Sequence, residues 1–267
     1  MTQAGRGLEA PRPAGAPALV VRDLHKSFRR NEPVLKGIDL DVRPGELVVV
    51  LGANGSGKST LLRCAIRLIE PDSGRVELSG EDITAASGAD LRRLRRNAAM
   101  IFQQIHLVRR RNALDNVTYG ALGRISGIRS LSRRAFPDDV VESAWRSLER
   151  VGLAEKAWQR ADTLSGGQAQ RVAIARALCQ QAQVILADEP VSSLDPRAAD
   201  DVLALLAEIA TSDGLAVACV LHQPDLARKY GTRIVGVAAG EVVFERSPTS
   251  ITDADIAHLY HGELDDG

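Results

Sequence analysis

A short glycine-rich segment constrains this chain more than any other feature. Gly52–Thr60 (GANGSGKST) satisfies G-x-x-x-x-G-K-[ST], between an apolar run, Glu46–Leu51, and a helical pattern, Leu61–Ile69. Glycines let backbone N–H groups approach phosphate oxygens, and the N-terminus of a helix adds partial positive charge. The spacing predicts a strand, a phosphate-binding loop and a helix, with Lys58 on the β- and γ-phosphates and the Ser59 hydroxyl on Mg²⁺. The residues predicted to line the phosphates are Gly52, Ala53, Asn54, Gly55, Ser56, Gly57, Lys58, Ser59 and Thr60.

A pair of acidic residues supplies the second part of the predicted site. Val184–Glu189 (VILADE) places Asp188 at the end of an apolar run, which is the Walker B pattern. We expect Asp188 to hold Mg²⁺ and Glu189 to act as a general base toward an attacking water. The alternative interpretation of Glu189 is an exposed acidic turn before Pro190.

Composition excludes several classes of protein. With 267 residues, 45% hydrophobic and 25% charged, the chain is typical of a globular α/β domain with room for a subdomain. Its formal net charge of zero gives no case for nucleic-acid binding. No apolar run approaches the roughly 20 residues needed to span a bilayer. Cys64, Cys179 and Cys219 lack a C-x-x-C spacing, which argues against zinc and a disulfide framework. We expect them to be small buried residues in a reducing compartment.

The order of elements predicts one domain with an insertion. Ala18–Leu24 and Pro33–Val42 have strand patterns, and later strands alternate with helices, which favours a largely parallel sheet. Residues 104–163 differ, because their pattern is mostly helical and rich in arginine at first, so we expect an inserted helical subdomain. The predicted divisions are a disordered lead-in at 1–17, the domain at 18–250 and a C-terminal tail at 251–267.

A five-residue motif identifies the family that the chain resembles. Leu164–Gln168 reads LSGGQ and opens a helical pattern, Gln168–Cys179. Alone, the motif is explained by a capped helix N-terminus. Between a phosphate loop and a Walker B strand, it makes the chain, from about Leu19 to Phe244, resemble the ATP-binding subunits of ABC transporters. The resemblance implies an ATPase that uses ATP and Mg²⁺. It also implies an α/β fold with a P-loop NTPase core sheet, an antiparallel β subdomain and an inserted helical subdomain.

The resemblance assigns roles to residues outside the phosphate loop. Phe28 resembles the aromatic residue that stacks on adenine, and Gln103 resembles the glutamine that senses Mg²⁺ and water. His222 resembles the switch histidine that contacts the γ-phosphate, and Asp195 belongs to a segment similar to the D-loop. The alternatives are a core position for Phe28, a surface amide for Gln103 and an ordinary loop histidine for His222.

The resemblance also implies a homodimer. In the family, the signature residues cap the γ-phosphate bound by the opposite subunit, so that ATP closes the dimer and hydrolysis reopens it. The motion is passed to membrane subunits. The residues that this places at the nucleotide are Ser165, Gly166, Gly167, Gln168 and Asp195.

Several segments narrow the resemblance to phosphonate-import ATPases. They are Ile101–Val108, Asn116–Gly123, Gln180–Pro190, Leu221–Gln223 and Ile256–Tyr260. This implies an importer with an integral membrane permease and an extracytoplasmic solute-binding protein, and a peripheral place on the cytoplasmic face of the cell membrane. The departures from the branch are Ala53-Asn54, Ala169 and Pro224, which leave phosphite or another oxyanion open as the substrate.

Three alternative functions share part of this pattern. An importer of another small solute would carry the same motifs. A soluble ABC ATPase of DNA repair or translation usually carries long coiled-coil or zinc insertions, or two cassettes in one chain. A small-molecule kinase would share the phosphate loop without needing LSGGQ or a D-loop.

An arginine-rich stretch has no place in these motifs. Eleven arginines and one acid, Asp115, lie between Leu91 and Arg134. We expect either a solvated face or a surface, including Arg109–Arg111, that meets the membrane subunits or anionic headgroups.

Overall fold

The computed structural model describes residues 15–29, 32–125 and 136–260. The strands are β1 (Leu19–Arg29), β2 (Glu32–Val42), β3 (Leu47–Leu51), β4 (Ser73–Leu78), β5 (Glu81–Asp82), β6 (Ala98–Ile101), β7 (Val184–Asp188), β8 (Ala216–Val220), β9 (Arg233–Ala238) and β10 (Glu241–Arg246). The helices are α1 (Lys58–Ala65), α2 (Gly88–Leu94), α3 (Ala113–Thr118), α4 (Asp138–Arg150), α5 (Gly166–Cys179), α6 (Pro196–Asp213), α7 (Pro224–Tyr230) and α8 (Asp253–Tyr260).

The strands form two sheets. An antiparallel sheet has the order β2-β1-β4-β5, and a six-stranded sheet has the order β10-β9-β3-β8-β7-β6. In the second sheet β10 pairs antiparallel with β9, whereas the other neighbouring pairs are parallel. All five residues of β3, of β7 and of β8 are buried. Strands covered on both faces read as continuous apolar runs, and this is why their positions were visible in the sequence.

The six-stranded sheet separates two hydrophobic cores. On β3, Leu47, Val49 and Leu51 face the core that contains α3 to α7, whereas Val48 and Val50 face the core shared with α1 and the antiparallel sheet. This alternation follows from the two-residue period of a strand. The strand that leads into the phosphate loop is therefore fixed from both sides.

Helices α3 and α4 lie in the region predicted to be mostly helical, residues 104–163. Helices α3, α4 and α5 pack on one another, but residues 104–112 are not helical. Backbone N–H groups of Ala161 and Asp162 donate to the carbonyls of Arg111 and Arg109, at 2.9 and 3.1 Å. Arg111 N also donates to the Val108 carbonyl oxygen at 2.9 Å, so the arginine segment forms a turn that is bonded to residues 161 and 162.

A buried charge cluster joins the two sheets. Arg233, at the start of β9, is 1% exposed, and its Nη2 lies 2.9 Å from Glu46 Oε2, just before β3. The same nitrogen donates to the carbonyl oxygen of Asp41 on β2, and Nη1 lies 3.0 Å from Glu245 Oε1 on β10. One guanidinium thus contacts elements of both sheets.

The three cysteines lie in the protein interior. Cys64, Cys179 and Cys219 are free and buried, as expected. Burial raises the pKa of the Cys64 thiol to about 11, so this group stays protonated at neutral pH.

Among the described residues, each helix is too short or too polar to cross a bilayer.

Candidate active site

The predicted site residues follow neighbouring strands of the six-stranded sheet. Strands β3, β8, β7 and β6 lie side by side and run parallel. The carboxyl ends of parallel strands meet at one edge, where ligands of such sheets bind. Gly52 follows β3, Asp188 ends β7, His222 follows β8 and Gln103 follows β6. Residues far apart in the chain therefore come to one edge.

The phosphate loop has the shape of an anion cradle. Lys58 is 4% exposed, and its Nζ donates to the carbonyls of Gly52 and Ala53 at 2.8 and 2.7 Å. Gly57 has a φ of 105°, and a Cβ there would lie 2.8 Å from the Val34 carbonyl oxygen, so no other residue fits. Ser56 Oγ is buried with no hydrogen-bond partner in the part of the chain that the structure describes. A buried hydroxyl of this kind fits a bound phosphate oxygen.

The Walker B aspartate lies against the helix that follows the loop. Ser59 Oγ donates to Asp188 Oδ1 at 2.6 Å, and the Asp188 side chain is 2% exposed. A hydroxyl and a carboxylate oxygen are the donors that Mg²⁺ prefers, so this pair fits the cation. Arg63 Nη2, one turn further along α1, donates to Asp188 Oδ2 at 3.1 Å. The sequence analysis did not identify Arg63, because no motif marks it.

Glu189, the neighbour of Asp188, is paired with His222. Glu189 Oε1 lies 2.7 Å from His222 Nε2, and the Glu189 side chain is 15% exposed. Glu189 is therefore not part of an exposed acidic turn, and the switch role of His222 stays a prediction. Glu189 has a φ of 51°, a left-handed conformation that is uncommon for a residue with a side chain and clusters at functional sites.

The LSGGQ segment forms a capped helix start, as its alternative interpretation expected. Ser165 Oγ accepts a hydrogen bond from Gln168 N at 3.3 Å, and Gln168 Oε1 accepts one from Ser165 N at 3.1 Å. This is a capping box at the start of α5. A Cβ on Gly166 would lie 3.1 Å from a Leu194 methyl carbon, so the turn lies close to the residue before Asp195. Capping does not preclude anion binding, because a helix start retains N–H groups without intrahelical partners.

The remaining predicted residues lie on the surface. Phe28 is 59% exposed, with Lys26 Nζ 5.7 Å from its ring centroid, so the core alternative for Phe28 was wrong. Gln103 is exposed, as its surface-amide alternative expected. Asp195 caps α6 by accepting from Ala198 N at 3.0 Å.

Sequence comparison finds relatives that match most of the chain. The family model described as ABC transporter matches residues 35–192. The Phosphonates import ATP-binding protein PhnC of Nitratidesulfovibrio vulgaris is 43% identical over 256 residues, covering 95% of this chain and 96% of the relative. The protein of the same name from Bacillus anthracis is 47% identical, covering 90% and 93%. That of Frankia casuarinae is 51% identical, covering 80% and 84%.

Solved structures share the fold. The ATP-binding cassette MJ0796, a dimer bound to ADP and Pi, has a TM-score of 0.74 and 31% identity, covering 87% of this chain and all of that one. The cbiO1 protein of Clostridium perfringens, part of the ABC transporter complex cbiONQ, has a TM-score of 0.78 and 26% identity, covering 93% and 96%. Both similarities support the α/β fold with an ABC ATPase core that the sequence predicted.

Proposed function

We propose, from the premise that the chain belongs to the ABC transporter family, that it is the ATP-hydrolysing subunit of an importer of phosphonates. The observation that most supports this proposal is that the phosphate loop, Asp188 and the Glu189–His222 pair lie at one edge of the sheet. The names of the full-length relatives support phosphonates as the substrate class. The unusual Pro224 does not oppose this assignment, because it occupies the first turn of α7, where proline is favoured.

The residues of the site divide the work of hydrolysis. Backbone N–H groups of the loop and Lys58 bind the phosphates, and Ser59 and Asp188 hold Mg²⁺. The cation, when bound, neutralises charge on the phosphates. Glu189 orients the attacking water and accepts its proton, while His222 holds Glu189 and contacts the γ-phosphate. We also assign adenine stacking to Phe28 and the sensing of Mg²⁺ and water to Gln103.

The signature serves a second copy of the chain. Ser165, Gly166 and Asp195 are exposed, which supports their use on nucleotide bound by a partner. The proposal therefore includes a homodimer, a permease, a solute-binding protein and a place on the cytoplasmic membrane face. It retains the predicted divisions at 1–17, 18–250 and 251–267 with a helical subdomain at about 104–163.

The test is ATPase activity of the subunit purified with its permease and solute-binding protein in lipid. Phosphonates are expected to stimulate hydrolysis more than phosphite, phosphate or sulfate. Lys58→Ala should weaken ATP binding roughly ten- to hundredfold, because it removes charge-assisted hydrogen bonds. Lys36→Ala, an exposed change on β2, should not. Stimulation by another solute would assign a different importer, and stimulation only by DNA or ribosomes would assign a soluble ATPase.

An arginine-lined cleft is the proposed permease contact. The cleft of about 520 Å³ lies between α2, β6, α5 and the turn at Tyr119–Arg124. Its arginines are Arg92, Arg95, Arg96, Arg124 and Arg176. Among residues 15–29, 32–125 and 136–260, no carboxylate forms an ion pair with any of these five. Arg109–Arg111, part of the predicted arginine surface, are not among the lining residues.

The charges in the cleft favour an acidic occupant. Arg95, Arg124 and Arg176 donate to backbone carbonyls, which satisfies hydrogen bonds without neutralising charge. Burial lowers the pKa of the Arg176 guanidinium, a sign that its charge is poorly solvated. Leu68 adds an exposed apolar side chain at the rim. We therefore propose that an acidic cytoplasmic segment of the permease binds in this cleft.

Charge reversal in the cleft tests this contact. The double substitution Arg92→Glu with Arg96→Glu should reduce co-purification of the permease at least tenfold. Both side chains are exposed, so ATP binding by the isolated subunit should persist. Arg146→Glu, at an exposed position of α4, is the charge control. Unchanged association at low ionic strength would contradict the contact, and loss of binding to anionic vesicles without permease would assign the cleft to lipid headgroups instead.

A further inference from the structure

The last helix of the described chain contacts the switch histidine. Tyr260, at the end of α8, donates its hydroxyl proton to the carbonyl oxygen of His222 at 3.0 Å. Its ring is partly buried against the core that lies under α6 and α7. The imidazole of the same residue, His222, lies 2.7 Å from Glu189. His222 therefore contacts Glu189 through its side chain and α8 through its backbone carbonyl.

The carbonyl of His222 lies where a helix supplies no donor. Helix α7 begins at Pro224, and its first ladder bond runs from Ala227 N to Gln223 O. The His222 carbonyl is one position too early to enter this ladder, and the nitrogen of Pro224 carries no hydrogen. The Tyr260 hydroxyl therefore supplies the hydrogen bond that this carbonyl oxygen would otherwise lack.

Helix α8 is fixed well enough to act as an anchor. Thr252 and Asp255 cap its start reciprocally, with bonds of 2.9 and 3.1 Å. Asp253 pairs with Arg228 of α7 at 2.9 Å. Leu259, next to the tyrosine, is 2% exposed in the core. The hydroxyl of Tyr260 therefore has a defined position relative to the loop that it contacts.

We propose that Tyr260 is a positioning residue for hydrolysis, which fixes the His222 peptide and so keeps the imidazole aligned on Glu189. The inference rests on the proposed function, because it assigns the pair to the hydrolytic step. This role requires no contact between Tyr260 and the nucleotide or the attacking water. Its effect is on kcat, since nucleotide binding is carried by the phosphate loop.

Tyr260→Phe removes the hydroxyl and keeps the ring. The expected result in the full chain is a fall in kcat of roughly three- to tenfold with KM for ATP unchanged, the size expected for one neutral hydrogen bond. Tyr230→Phe is the matched control, because it removes a 2.9 Å bond to Asp200 between α7 and α6. It should leave kcat within twofold of the unaltered protein.

Two readouts separate positioning from a structural role. In a His222→Ala background, Tyr260→Phe should have no further effect on the residual rate. The imidazole ¹⁵N signals of the five histidines, with that of His222 assigned by His222→Ala, should shift at His222 in Tyr260→Phe and not in Tyr230→Phe.

Three outcomes overturn the inference. They are an unchanged kcat with an unchanged His222 signal, a loss of kcat that persists without His222, and a loss that tracks a lower unfolding midpoint. An unaltered protein that fails to hydrolyse ATP would contradict the proposed function instead, and the His222 signal would then decide on Tyr260.

Discussion

Glu189→Gln is expected to lower ATP turnover roughly a hundred- to ten-thousandfold, the usual contribution of a positioned general base. The amide has nearly the shape of the carboxylate and can still hydrogen-bond His222 Nε2, which lies 2.7 Å from Glu189 Oε1. It cannot accept a proton from water. ATP binding should persist, because Lys58 and the phosphate loop are untouched. Phosphate release under saturating ATP measures the change, with Glu142→Gln at an exposed position of α4 as the control.

The same substitution should make the dimer visible. If two copies close on ATP and hydrolysis parts them, Glu189→Gln with ATP should elute as a dimer in size-exclusion chromatography. Adding Ser165→Arg should abolish that dimer and keep ATP binding, because a long side chain at the exposed start of α5 blocks the partner. Normal hydrolysis by Glu189→Gln would remove its assigned role. A dimer that survives Ser165→Arg would contradict the cross-subunit site.

Arg233→Ala is expected to lower the free energy of unfolding by about 3–5 kcal/mol, because it leaves Glu46 buried and unpaired. Arg233 is 1% exposed and Glu46 is 2% exposed, with 2.9 Å between their charged atoms. Urea denaturation measures the change. Arg150→Ala breaks pairs with Asp213 and Glu208 at a more exposed position, and is expected to cost about 0.2–1 kcal/mol.

A second variant tests the reason for that loss. Arg233→Met together with Glu46→Gln removes both charges, and should be less destabilising than Arg233→Ala because no buried charge remains unpaired. A single substitution that costs under about 1 kcal/mol would show that the cluster does not hold the two sheets together.

Motifs and continuous apolar runs were predictable from the sequence. Strands β3 and β7 lie within a residue or two of the predicted runs, because full burial on both faces leaves an uninterrupted apolar signature. The phosphate loop was predictable because close backbone approach demands glycine at fixed spacing. The parallel arrangement then followed from alternating strands and helices.

Contacts between distant residues were not predictable. Arg63 and Asp188 are 125 positions apart, and Arg233 and Glu46 are 187 apart, so no local pattern links them. The short strand β6 and the helices α7 and α8 were also missed. Helix α7 has seven residues and begins at a proline, and its signal is weaker than a long amphipathic period. Tyr260 was noted only as part of a family-like ending.

The left-handed turn at Glu189 separates two carboxylates that are neighbours in the chain. Asp188 meets a hydroxyl and a guanidinium of α1, whereas Glu189 meets an imidazole from the next loop. Selection can therefore act on the two positions independently. If the roles proposed for these residues hold, a lineage that lost the glutamate alone would retain ATP-dependent pairing of its subunits while losing ATP turnover, and a transport subunit could become a regulatory one in a single step.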